Sequence, residues 1–99
     1  MEKILNDFIA NKPDVLNFFA GYFPEAEFTN KSDEQIIDNY LASNTPLTIS
    51  STKNQLDTIT NDEEVMLFLA REINRHFESS NAIWLWFLDV KEYFFKKSI

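Results

Sequence analysis

Apolar side chains recur every three or four positions along most of this chain, and no segment alternates apolar and polar residues at a period of two. The densest stretch runs from Val15 to Phe23, where only Asn17 and Gly21 interrupt the apolar residues. On a helix, Val15, Phe18, Phe19 and Tyr22 form one row and Leu16, Ala20 and Phe23 the row beside it. A stripe that wide needs several neighbours to cover it, so this segment is expected to be the core helix. Gly21 is the chain's single glycine. At mid-helix a glycine costs about 1 kcal/mol relative to alanine, so another element or a partner is expected to approach its bare backbone.

The same reading organises the rest. Glu2 to Ala10 sets Ile4, Leu5, Phe8 and Ile9 on one face of a short helix, and Pro13 stops it and opens the core helix, with Asp14 in the favourable first turn. After Phe23 the periodicity lapses. Ser32-Asp33-Glu34-Gln35 fits a capping box, and the helix it starts carries Ile36, Ile37, Tyr40 and Leu41 inward and leaves Asp33, Glu34 and Asp38 outside. Thr45-Pro46 opens a further helix with a narrow seam of Ile49, Thr52, Leu56 and Ile59; its many β-branched residues make a loop followed by a helix from Ser50 or Ser51 the alternative. Thr60 or Asn61 is expected to cap the next helix, which has Asp62, Glu63 and Glu64 in its first turn, Val65, Met66, Leu69, Ile73 and Phe77 inward, and Arg71, Arg75 and His76 toward its end. The last helix, Ala82 to about Lys97, is apolar nearly all round at its start and should lie beside the core helix. These patterns predict an all-α fold, a compact single-domain bundle of five to six short helices over residues 1–99, with Phe19, Tyr22, Leu41, Leu69, Ile73, Trp84 and Phe87 in one core.

Composition narrows what such a bundle does. There is no cysteine, which excludes disulfides and thiolate metal sites, and one glycine cannot build a phosphate-cradling loop. The N-terminus lacks a basic segment followed by a long apolar run, and the longest apolar run, Ile83 to Leu88, is far too short to span a bilayer. A cytoplasmic protein is therefore expected. No local nucleophile motif surrounds the serines, and His76, the one histidine, shares its predicted helix face only with Glu72. That pairing fits a helix-end histidine better than a metal site. Glu34 with Asp38, or Glu63 with Glu64, could serve as acid and base only if burial raised one of them, and all four fall on predicted polar faces. The sequence thus predicts no enzyme, no cofactor and no metal.

Charge changes the picture most. The net charge is −7, which argues against direct nucleic-acid binding, since that draws on Lys and Arg at phosphates. The acidity is concentrated: residues 13–64 hold ten carboxylates against Lys31 and Lys53, whereas residues 65–99 hold five cations against four carboxylates. A concentrated acidic surface steers a basic partner, although a solvated face is the simpler explanation of the same pattern. Aromatic residues at helical spacing belong mainly to a core, with Phe28 and Tyr93 the candidates for exposed anchors.

Phe18-Phe19-Ala20-Gly21-Tyr22-Phe23, an acidic loop, and then Ser32-Asp33-Glu34-Gln35-Ile36-Ile37-Asp38-Asn39-Tyr40-Leu41-Ala42 resemble the helical immunity proteins of bacterial contact-dependent growth inhibition systems. The resemblance continues through Thr45-Pro46, Gln55-Leu56-Asp57, Asp62-Glu63-Glu64 and the tryptophan-bearing segment Trp84 to Leu88. The family's usual run after its Tyr-Phe pair is replaced here by Pro24-Glu25-Ala26-Glu27-Phe28, and the family's glycine-rich turn near a late tyrosine is missing. The resemblance implies a bacterial cytoplasmic protein that binds and blocks the C-terminal toxin domain of an adhesin-like effector. It implies a basic partner such as a nuclease domain, and no membrane. On that reading Glu25, Glu27, Phe28, Asp33, Glu34 and Asp38 are the candidate partner-binding residues, with Asp57, Asp62, Glu63 and Glu64 as the alternative face. The rival expectations are a small acidic helical adaptor for another cellular protein and, behind it, a small carboxylate enzyme. The toxin's identity, the docking geometry and the oligomeric state stay open at this point.

Overall fold

The structure, a computed structural model, describes residues 2–25 and 30–98, with side chains over 5–24 and 30–98. Among the described residues six α-helices make up an all-α single domain: α1 (Glu2–Asn11), α2 (Pro13–Tyr22), α3 (Asp33–Ser43), α4 (Pro46–Leu56), α5 (Glu63–Glu72) and α6 (Ser80–Lys97), with a short 3-10 turn at Phe23–Glu25. There is no strand among the described residues. The radius of gyration is 12.7 Å, close to the ~13 Å of a packed chain of this size.

The centre is aromatic. Phe18 and Phe19 of α2 and the following Phe23 are buried together with Tyr40 of α3 and Phe87 and Phe94 of α6. Phe18 meets Phe94 edge-on at 5.2 Å and tilts against Tyr40 at 4.7 Å, while Phe19 contacts Phe87 at 6.0 Å. The last helix, expected beside the core helix, packs its backbone instead on α3 and α5, and it meets α2 through these rings. Of the expected core, Phe19, Leu69, Ile73 and Phe87 are buried, whereas Tyr22, Leu41 and Trp84 pack on the rim, half-buried.

Local signals account for most helix ends. The capping box at Ser32 and Gln35 is formed by both of its bonds, 3.2 and 2.9 Å. Thr45 caps α4, which runs unbroken from Pro46 and so excludes a late start at Ser50 or Ser51. Its β-branched residues are accommodated because Thr52 is fully buried: its hydroxyl donates to the Thr48 carbonyl at 2.9 Å and, with that proton used, accepts from the Tyr40 hydroxyl at 2.8 Å. Burial pushes the Tyr40 phenol above its ordinary value, the contact with Thr52 opposes that, and the charges of Asp14 and Tyr22 add to it.

Three further expectations need correction. Asp62, one residue past the predicted cap, closes the start of α5 by accepting from the Val65 amide at 3.0 Å. That helix also ends early. Asn74 adopts a left-handed φ of 58°, the Asn74 amide bonds the Arg71 carbonyl and the Arg75 amide bonds the Ala70 carbonyl. Those two bonds are the Schellman arrangement that terminates a helix. Arg75, His76 and Phe77 therefore lie beyond α5, and His76 is exposed on an irregular segment with no helix end to serve. Finally, Gly21 is exposed, and a Cβ built on it would meet the Asn17 side chain, Oδ1 at 3.2 Å and Cγ at 3.8 Å, one turn back on the same helix. Among the described residues no other element approaches it.

The start of α2 has an unusual closure. Lys12 occupies the cap position without a side-chain bond. Gln55, near the end of α4, supplies the acceptor instead: its Oε1 takes the Asp14 and Val15 amides, each at 3.1 Å, and its Nε2 donates to Asp14 Oδ2 at 3.1 Å. Ser51 donates to the same carboxylate oxygen.

Candidate functional site

Helices α3 and α6 lie side by side and leave an open groove of about 340 Å³ between them, lined by Ser32, Asp33, Glu34, Ile37, Trp86, Asp89, Val90 and Tyr93. Ile37 and Val90 are buried and form its floor. Trp86 and Tyr93 rise from α6 one helical row apart, since a spacing of seven residues returns almost to the same face, and both remain partly exposed. Glu34 stands on the α3 wall and Asp89 on the α6 wall, each exposed.

One end of the groove is tied shut. Asp33 accepts a fork of two hydrogen bonds from Arg75, at 3.2 and 2.8 Å, and a third from the Trp86 indole nitrogen at 2.8 Å. The Arg75 guanidinium also lies over the indole ring, 5.4 Å from its centroid. Burial pushes the Asp33 carboxyl up, but the hydrogen bonds from Arg75 and Trp86 and the guanidinium charge outweigh it and hold the group below the usual carboxylate range. Arg75 reaches this position because Asn74 turns the chain out of α5. The Asp33 side chain, expected to face solvent, thus joins three elements.

The other end is held by Tyr93, whose hydroxyl donates to both Asp38 oxygens, at 2.9 and 3.1 Å. Desolvation, that hydrogen bond, and the charges of Asp38 and Glu34 raise the Tyr93 phenol above its ordinary value. Lys97 lies over the ring of Tyr93, 5.6 Å from its centroid. Tyr93 is therefore a groove wall braced on α3, with its hydroxyl already engaged.

The six candidate residues separate accordingly. Glu34 and Asp38 sit on the groove's α3 side with exposed carboxylates, and Asp33 is bound to Arg75 and Trp86. Glu25 closes the 3-10 turn after α2, with its side chain outside the described residues, and Glu27 and Phe28 lie outside them altogether. The alternative acidic face is partly occupied: Asp57 pairs with Lys91 at 3.1 Å and Asp62 caps α5. Asp89 and Trp86 carry no signal in the distribution of charge along the chain, because α6 belongs to the nearly neutral C-terminal third.

Among the described residues no group of three or more His, Cys, Asp or Glu side chains is placed to hold a metal ion, and no helix is long and apolar enough to cross a membrane. No family model, curated protein or solved structure matches this chain.

Proposed function

We propose that this chain is a protein-binding module that docks a basic partner on the α3–α6 face. The partner proposed is the toxin domain of a contact-dependent growth inhibition effector, which the bound chain neutralises inside the producing cell. The observation that carries the docking reading is the groove itself, an indentation with apolar and aromatic walls bordered by carboxylates from both helices. The toxin assignment rests on the resemblance of Phe18 to Phe23 and Ser32 to Ala42 to immunity proteins. A nuclease holds phosphates in a basic cleft, so an acidic face can both speed association with it and obstruct it.

The test is co-expression with the toxin domain encoded directly upstream, scoring survival and co-purification. Reversing Glu34 and Asp38 together to Lys should leave the helical signal intact, because Ile36, Ile37 and Tyr40 are the buried residues that hold α3 down. The reversal should slow association at low salt, flatten its salt dependence and weaken protection, as rim charges do. The opposite reversal, Lys96 and Lys97 to Glu, should have little effect. Protection lost with the Lys96 and Lys97 change and kept with the Glu34 and Asp38 change would refute the assignment of this face. Absence of any secreted effector gene upstream would favour the adaptor reading.

A further inference from the structure

The groove does not stop at Tyr93 and Trp86. Around α6, at 100° per residue, the larger side chains follow one another as Leu88, Glu92, Leu85, Lys96, Asp89, Tyr93 and Trp86, which makes one side of the helix a strip of apolar and acidic groups with Lys96 at its C-terminal end. Leu85 is 55% exposed and Leu88 37%. A single exposed leucine is ordinary, but Leu85 stands one turn before the groove residue Asp89 on the same side of α6, whereas Leu88 faces a separate indentation with Asp57, Lys91 and Phe95.

The charges of the strip point to what covers it. Among the described side chains no cation lies within ion-pair distance of Glu34, Asp89 or Glu92: Arg75 pairs with Asp33, Lys91 with Asp57, and Lys97 lies over the ring of Tyr93 without reaching a groove carboxylate. Lys96 and Lys97 stand at the C-terminal end of the helix, so the strip is acidic along its middle and basic at one tip. The groove also displays the chemistry it favours. At its closed end a guanidinium forks onto a carboxylate and lies on an indole, and the open part brings Glu34 and Asp89 together with the ring of Tyr93. A planar, weakly hydrated guanidinium can use carboxylate and ring at once, whereas an ammonium is a compact, strongly hydrated charge that gains less in a partly apolar slot.

We infer that the partner enters this face with an arginine side chain seated in the groove between Glu34 and Asp89 and a neighbouring apolar side chain resting on Leu85. The inference rests on the docking reading above and specifies the chemistry of the docked segment. It makes arginine and leucine on one face of the partner the recognised feature, with Glu92 flanking the apolar contact.

Two short amphipathic peptides test it, carrying leucine on one helical face and differing only in arginine against lysine, titrated into the intact chain at physiological salt. Binding is read by calorimetry and by the indole N–H resonance of Trp86. The expected result is saturable movement of that resonance, with the arginine peptide binding about fivefold tighter than the lysine peptide. Glu34→Gln with Asp89→Asn should abolish the preference, and Leu85→Ser should weaken both peptides alike, each with an unchanged helical signal. Equal affinity for the two peptides, or a preference that survives the double variant, overturns the arginine assignment. An unmoved Trp86 resonance overturns the site. If either failure occurs while the Glu34 and Asp38 reversal still weakens protection, the docking reading stands without this refinement; if that reversal also has no effect, both fall. Self-association that Leu85→Ser removes would make a second copy the occupant and overturn the proposal.

Discussion

Replacing Asp33 by alanine removes the acceptor that joins α3, the segment after α5, and α6. The carboxylate takes three hydrogen bonds, two from Arg75 and one from Trp86. Bonds to a charged group contribute about 1.5–3 kcal/mol each when well desolvated. Here the Asp33 and Arg75 side chains keep 32% and 27% of their exposure, so water recovers part of the loss and the ion pair falls toward the ~1 kcal/mol of surface pairs. The indole bond adds about as much again, which puts Asp33→Ala at about 2 kcal/mol in a urea titration followed by far-UV circular dichroism. A cycle with Arg75→Met should return a coupling of about 1 kcal/mol. Because the folded-state pKa is depressed, this stabilisation is fully present above the unfolded value of 3.8 and is lost as pH falls through the lower folded value. The gap between wild type and Asp33→Ala should therefore narrow in that acid window. A loss under about 0.5 kcal/mol at neutral pH, or a gap that stays constant into strong acid, would refute the account.

Two further substitutions probe the packing and the lone glycine. Leu69→Ala, at a fully buried position, should cost about 2–5 kcal/mol, and a denaturant titration showing less than about 1 kcal/mol would mean that α5 does not carry the core as described. Gly21→Ala should raise stability by about 0.5–1 kcal/mol, provided that Asn17 Oδ1 gives way by a few tenths of an ångström; a lower thermal midpoint would show that this movement is blocked.

The helices were legible because period and caps agree: Ser32 with Gln35, and Thr45 with Pro46, are local signals whose meaning does not depend on the rest of the fold. The end of α5 was not, because Ile73 and Phe77 continue the apolar period four residues apart while the backbone at Asn74 has already turned left-handed, a choice that asparagine tolerates without announcing. The groove was half legible. Glu34 and Asp38 follow from the face they occupy on α3, but the tie between Asp33 and Arg75 spans 42 residues, and a pairing that distant is created only when α3 packs on α6. Asp89 escaped for a related reason, since the groove it lines takes its other wall from another helix.

The cap that Gln55 places on α2 bears on the order in which the chain folds. A helix that caps itself can close its first turn as a local event, in a microsecond or less. The first turn of α2 has no such option: its acceptor lies 41 residues from the Asp14 amide, so the turn is completed only when α4 arrives, and that arrival requires a long loop to close first. Formation of the α2 N-terminus and docking of α4 are thus one step. The segment richest in apolar side chains can be helical at its centre early, yet its entry stays open until the two helices meet, which couples the most hydrophobic stretch of the chain to the most β-branched one.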